Sequence, residues 1–191
     1  MKPNKYWWND GVDKHELVFD TVEQISENQN QRPKDNINHA RLYGNAYFSG
    51  LRGASSAPQN TKNRVTLNII QSMCDTVTAR VAKAKPMATY LTTGGSWAMQ
   101  QKAKLLTKFT EGQFYQADVY KIAPKVFLDA CVFGTGIMKV YEEDSRIKVE
   151  RVFPDEIIVD DLEARYAKPR QMFQQKLVPK DVLMALFPEA K

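Results

Sequence analysis

Histidine is nearly missing from this chain. His15 and His39 are the only two, both lie among polar neighbours, and neither has a partner at metal-ligand spacing. Imidazole acid–base and zinc chemistry therefore have few carriers. Cysteine is equally scarce: Cys74 and Cys131 lie far apart, in apolar helical patterns, with no CxxC pair. They are expected as reduced core thiols and not as a disulfide or metal site. Long apolar runs are absent too. The longest, Val126–Val140, is interrupted by Asp129 and Lys139, whereas a spanning helix needs about 20 apolar residues. The opening MKPNKYWWND has lysines but no apolar h-region, so synthesis in the cytosol is expected, with no membrane partner.

Acidic residues are sparse in one long stretch. Residues 31–110 hold 12 basic and 2 acidic residues, net +10, against −3 for residues 1–30 and −2 for residues 111–191. A block of one sign attracts a polyanion, or acidic protein surface, over about a Debye length, ~8 Å at physiological salt. An ordinary solvated face explains it as well.

What is present is helical periodicity followed by strand periodicity. Tyr6, Trp7 and Trp8 form a short aromatic arm ahead of Asp13, which is placed to cap a helix from Lys14 to about Asn30 with Leu17, Phe19, Val22 and Ile25 as its stripe. Pro33 is expected to break the chain before a short helix over Asp35–Leu42, and a Gly/Ser/Asn-rich loop follows. Asn63 opens the clearest helix, with Val65, Ile69, Met73, Val77 and Val81 at steps of four. As core, this stripe would make Ile69→Ala cost about 2–5 kcal/mol. Pro86 stops the helix, and Met87–Thr92 reads as a strand. Ser96 caps a helix from Trp97 to about Tyr115 with Leu105, Leu106 and Phe109 buried, and a third helix with an internal Pro124 runs to Phe133. After Gly134-Thr135-Gly136 the period changes to two: Ile137–Tyr141 and Arg146–Val152 form a hairpin, Glu156–Val159 and 170–178 read as strands, and Pro179–Leu186 as a short helix. The fold class is α+β, with amphipathic helices packed on a small antiparallel sheet. The expected division is 1–34, an arm and helix, and 35–191, one α+β domain.

Few residues suggest chemistry. Gly134-Thr135-Gly136 matches neither phosphate-loop pattern and precedes a strand, so it is a helix-to-strand turn. Asp155, Glu156, Asp160 and Asp161 would need to converge from separate elements to hold two metals. As neighbours, Asp160 and Asp161 diverge on a strand, which favours loop formation or inter-subunit salt bridges. No Ser-His-Asp or Cys-His arrangement is present, so no catalytic residue, metal or cofactor is expected.

The order of elements resembles one family. The run NRVTLNIIQSMCDTVTARVAKAKP is followed by KPMATYLTT, then by the paired helices AKLLTKFTEGQFYQADVYKIAPKVFLDACVFGTG and the hairpin GIMKVYEEDSRIKVERVFPDEIIVDDLEAR, with DVLMALFP later. This succession, over about residues 35–188, is similar to the wing region of bacteriophage portal proteins of the short-tailed phage type. The resemblance implies a non-enzymatic structural subunit of a dodecameric ring, the conduit for DNA at the capsid vertex in genome packaging and ejection. It implies as partners other portal subunits, the terminase large subunit, capsid and scaffold proteins, tail or adaptor proteins and double-stranded DNA, and as location the virion, with host cytoplasm during assembly. Family members continue into stem, clip and crown, so the chain is expected to represent an N-terminal part. On this reading Tyr6, Trp7 and Trp8 are interface anchors, and Arg80, Lys83, Lys85, Lys102, Lys104 and Lys108 face nucleic acid without reading sequence. The alternative is a nucleic-acid-binding module using the 31–110 block, with Tyr6, Trp7, Trp8, Tyr43, Tyr47 and Phe48 adding stacking. A metal-dependent nuclease at the 155–161 carboxylates is a third possibility.

Overall fold

A computed structural model of the chain describes residues 7–8, 14–45, 67–166 and 168–188. In chain order the elements are α1 (Lys14–Asn28), α2 (Gln31–Tyr43), α3 (Ile69–Ala84), α4 (Trp97–Gln116), α5 (Val119–Phe133), β1 (Ile137–Glu143), β2 (Arg146–Val152), β3 (Ile157–Val159), α6 (Asp161–Tyr166), β4 (Met172–Gln174) and α7 (Lys180–Leu186). The fold is α+β. Contacts divide the chain into two units, residues 1–34 with 155–191, and residues 35–154. The 155–191 segment, expected to continue the second unit, groups with the N-terminal residues because β3 pairs with β4 and α1 packs on β3.

In the first unit, Ile25 on α1 and Ile158 on β3 are buried. The strands are antiparallel, with Ile158 opposite Phe173. Side-chain bonds reinforce this contact: Gln29 Nε2 donates to the Val159 carbonyl, and Arg32 Nη1 to the Ile157 carbonyl at 3.5 Å. Phe19, expected in the α1 stripe, is exposed and meets the His15 ring edge-on. Pro33 does not break the chain. It lies in the first turn of α2, where a missing N–H costs nothing because first-turn donors have no intrahelical acceptor.

The second unit is built on α5, which packs against α3, α4, β1 and β2. Helix α3 starts at Ile69, with Asn68 as its cap accepting from the Gln71 N–H at 3.0 Å. Its end is fixed by Lys85 in the left-handed region, φ 39°, followed by Pro86, which cannot continue a helix. Asp144 and Ser145, φ 51° and 58°, form the two-residue turn whose twist suits a hairpin. Register then follows without a slip, from Glu143 opposite Arg146 to Ile137 opposite Val152. Val152 is fully buried.

Three expectations about burial and pairing are corrected. Ile69, Met73 and Val77 are 61%, 66% and 45% exposed, and Leu105, Leu106 and Phe109 are 65%, 49% and 60% exposed. Helix α5 covers only one flank of the α3 stripe, where Cys74, Thr78 and Val81 are half-buried, and α4 turns Ala103 inward instead of its leucines. The cysteines are not core either: Cys74 is half-buried and Cys131 exposed, both free. Met87–Thr92 is no strand, since among the described residues none lies beside it to form a ladder. Asp13, Tyr47, Phe48, Asn63 and Val65 lie outside the described residues.

Tyr43 ties α2 to α3. Its hydroxyl donates to Asp75 Oδ1 at 2.6 Å, and that carboxylate, helped by partial burial, pushes the phenol pKa up to about 12. A proton held more tightly in the folded state stabilises below the unfolded pKa, near 10, and that contribution is lost as pH rises through the folded value. Stability should therefore fall between about pH 10 and 12, and Tyr43→Phe should remove this dependence at a cost of about 1 kcal/mol at neutral pH. Urea denaturation across that pH range checks both.

Candidate functional site

The six basic residues singled out from the sequence are all exposed. Arg80 and Lys83 occupy the last turns of α3, one turn apart, and Lys85 follows at its end, with its ammonium 5.9 Å from the Tyr120 ring. On α4, Lys104 and Lys108 are four residues apart and share a face, whereas Lys102 lies on another. The first two join Thr89, Tyr90, Leu91 and Leu105 in lining an open groove of about 630 Å³ between the 89–92 segment and α4. Tyr90 is anchored there twice: its N–H donates to Thr107 Oγ1 at 3.3 Å, and its hydroxyl accepts from Thr110 at 3.1 Å.

The aromatic arm is placed differently from a free anchor. Trp7 turns to its own chain: Nε1 donates to Gln171 Oε1 at 3.0 Å, and its ring lies 6.1 Å from Phe173 on β4. Trp8 packs edge-on against Trp7 at 5.5 Å and is partly exposed. Tyr6 lies outside the described residues.

The carboxylates do not converge on one point. Asp160 Oδ1 accepts from the Glu163 N–H at 3.4 Å, capping α6, and Glu156 accepts from Gln174 Nε2 at 3.1 Å. Glu163 receives a fork from Arg170, with Nε donating at 2.7 Å and the Arg170 N–H at 3.1 Å. This holds the Glu163 carboxyl below its usual range. Among the described residues, no group of three His, Cys, Asp or Glu is placed to hold a metal ion, and no helix is long and apolar enough to cross a membrane.

Two features escaped the sequence. One is the Asp129–Arg151 pair: Asp129 on α5 is buried and receives both Nε and Nη2 of Arg151 on β2. The bond to Asp129 raises the guanidinium pKa further, and its plane lies 4.4 Å from the Phe153 ring. An acid inside the apolar run 126–140 was the signal, because a buried charge must be paired. The other is the extent of exposed apolar surface on α3 and α4, which periodicity alone assigns to a core. No protein-family model, curated protein or solved structure matches this chain.

Proposed function

We propose that the chain is a non-enzymatic structural subunit of a phage portal ring, acting through contacts with copies of itself around a DNA conduit. The observation that carries this is the pair of outward apolar faces. Ile69, Met73 and Val77 on α3, and Leu105, Leu106 and Phe109 on α4, stand exposed in a single copy. Contiguous apolar surface of this kind marks a protein–protein contact. The order of elements from residue 35 onward, whose sequence pattern resembles the portal wing, supports this reading of the assembly, and partners in packaging and ejection are part of the same proposal. Met73→Ser combined with Leu105→Ser should leave the fold of the single chain within about 0.5 kcal/mol, because both residues are exposed, and should dissociate the assembly. Light scattering together with thermal melting separates the two effects. A loss of fold equal to the loss of assembly contradicts the proposal.

A second proposal, a nucleic-acid-binding module, is favoured by Lys104 and Lys108 flanking one groove. On the ring reading the attraction is electrostatic and indifferent to base sequence. DNA affinity should fall steeply with salt, and Lys102→Gln, Lys104→Gln and Lys108→Gln together should flatten the log–log slope by about 0.9 for each phosphate no longer neutralised. A preference above about tenfold for one duplex sequence, ~1.4 kcal/mol, favours the module.

A further inference from the structure

Residues 87–92 have strand-forming composition, yet among the described residues they have no strand partner. The segment is neither helical nor part of a ladder, and Met87 and Leu91 are exposed, Leu91 almost fully. Its Tyr90 N–H is occupied by Thr107. Extended as a strand, the segment would point the main-chain groups of alternate residues to opposite sides, so with the Tyr90 N–H held by Thr107 on α4 the N–H and C=O groups of Thr89 and Leu91 would face away from that helix.

The hairpin presents the complementary feature. β1 and β2 form a two-stranded sheet, so among the described residues each has an outer edge without a strand. With a two-residue turn, the closing pair Glu143–Arg146 exchanges both its bonds. Met138, Val140 and Glu142 then aim their N–H and C=O groups outward along the β1 edge, and Val140 is exposed. Charge sets a direction: Lys83 and Lys85 precede the 87–92 segment, and Glu142 and Asp144 stand at the hairpin tip. Placing the basic end at the acidic tip runs the segment from tip to root, antiparallel to β1, the more stable pairing.

We propose that Met87–Thr92 of one copy adds as an antiparallel strand to the outer edge of β1 in a second copy. The inference deepens the ring proposal and takes its second copy from it. The two patches differ, so the contact is head-to-tail, the kind that closes into a ring. Main-chain bonds hold the added strand, as in other strand-addition complexes.

The test uses the full chain held as single copies by Met73→Ser with Leu105→Ser, so that no neighbour fills the β1 edge, and a labelled synthetic peptide of residues 85–93, followed by fluorescence anisotropy. The peptide should bind. N-methylation at Leu91, which removes an outward N–H, should weaken binding by at least about tenfold, whereas N-methylation at Tyr90 should leave it within about twofold. In the protein, Val140→Pro removes an N–H outside the ladder. It should abolish peptide binding with an unchanged circular dichroism spectrum, while Val149→Pro on the other edge should retain it. No binding, or equal weakening by the two methylations, overturns the inference. If the unsubstituted chain nevertheless assembles, the ring proposal stands without this contact; an unsubstituted chain that stays monomeric, with the peptide bound in the expected pattern, retains the pairing and removes the ring.

Discussion

Arg151→Ala is expected to be the most damaging single substitution in residues 35–154, costing about 3–5 kcal/mol, because it strands a buried charge. Asp129 is 2% exposed and receives two guanidinium bonds from Arg151. Without them its carboxylate has neither water nor a cation. The reverse deletion, Asp129→Ala, should cost less, since the Arg151 side chain is 31% exposed and can turn to solvent. Replacing both by apolar residues, Asp129→Leu with Arg151→Met, should recover much of the loss, as buried pairs commonly exchange for packing at little cost. Urea unfolding of the four proteins closes a double-mutant cycle. A loss below about 1 kcal/mol for Arg151→Ala, the scale of an exposed pair, would contradict this picture of the α5–β2 junction.

Gly136→Ala should follow closely. A Cβ there would lie 2.1 Å from the Val126 carbonyl oxygen and 3.0 Å from Val126 Cγ1. The nearest obstacle is backbone in the middle of α5, which cannot swing aside as a side chain does. Overpacking of this kind costs about 1–3 kcal/mol, and more where the backbone must move. Gly134, two residues earlier, serves a different need. It caps α5 at φ 80° with open space around its Cβ position, so Gly134→Ala costs only the left-handed strain of about 1 kcal/mol. Thermal unfolding of both variants should rank Gly136→Ala the worse, and the opposite order would contradict the close approach of β1 to α5.

The sequence made the two periods legible. Helical spacing of apolar residues, in steps of four for α3, located α3, α4 and α5, and alternation about Asp144-Ser145 located the hairpin to within two residues. Burial was less legible. Periodicity identifies an apolar face and says nothing of what covers it, so Ile69 and Leu105 were assigned to a core that a single copy does not close over them. Met87–Thr92 failed for a related reason, because a strand exists only beside another strand. Pro33 is ambiguous in sequence, because a residue that cannot continue one helix fits the first turn of the next, where it lies. Asp129 and Arg151 are 22 residues apart in the chain, and only the acid's apolar surroundings hinted at their pairing. The basic residues lie at the surface, and their division between the end of α3 and two faces of α4 depends on which side of each helix turns inward.

Assembly through surface that a single copy leaves exposed is tested most directly by native mass spectrometry of the chain, checked by negative-stain imaging. One closed species is expected, a whole-number multiple of 21.8 kDa, with ring-shaped particles that dissociate on Met73→Ser with Leu105→Ser. A chain that stays at 21.8 kDa at every concentration, with a stable and cooperative fold, would contradict it.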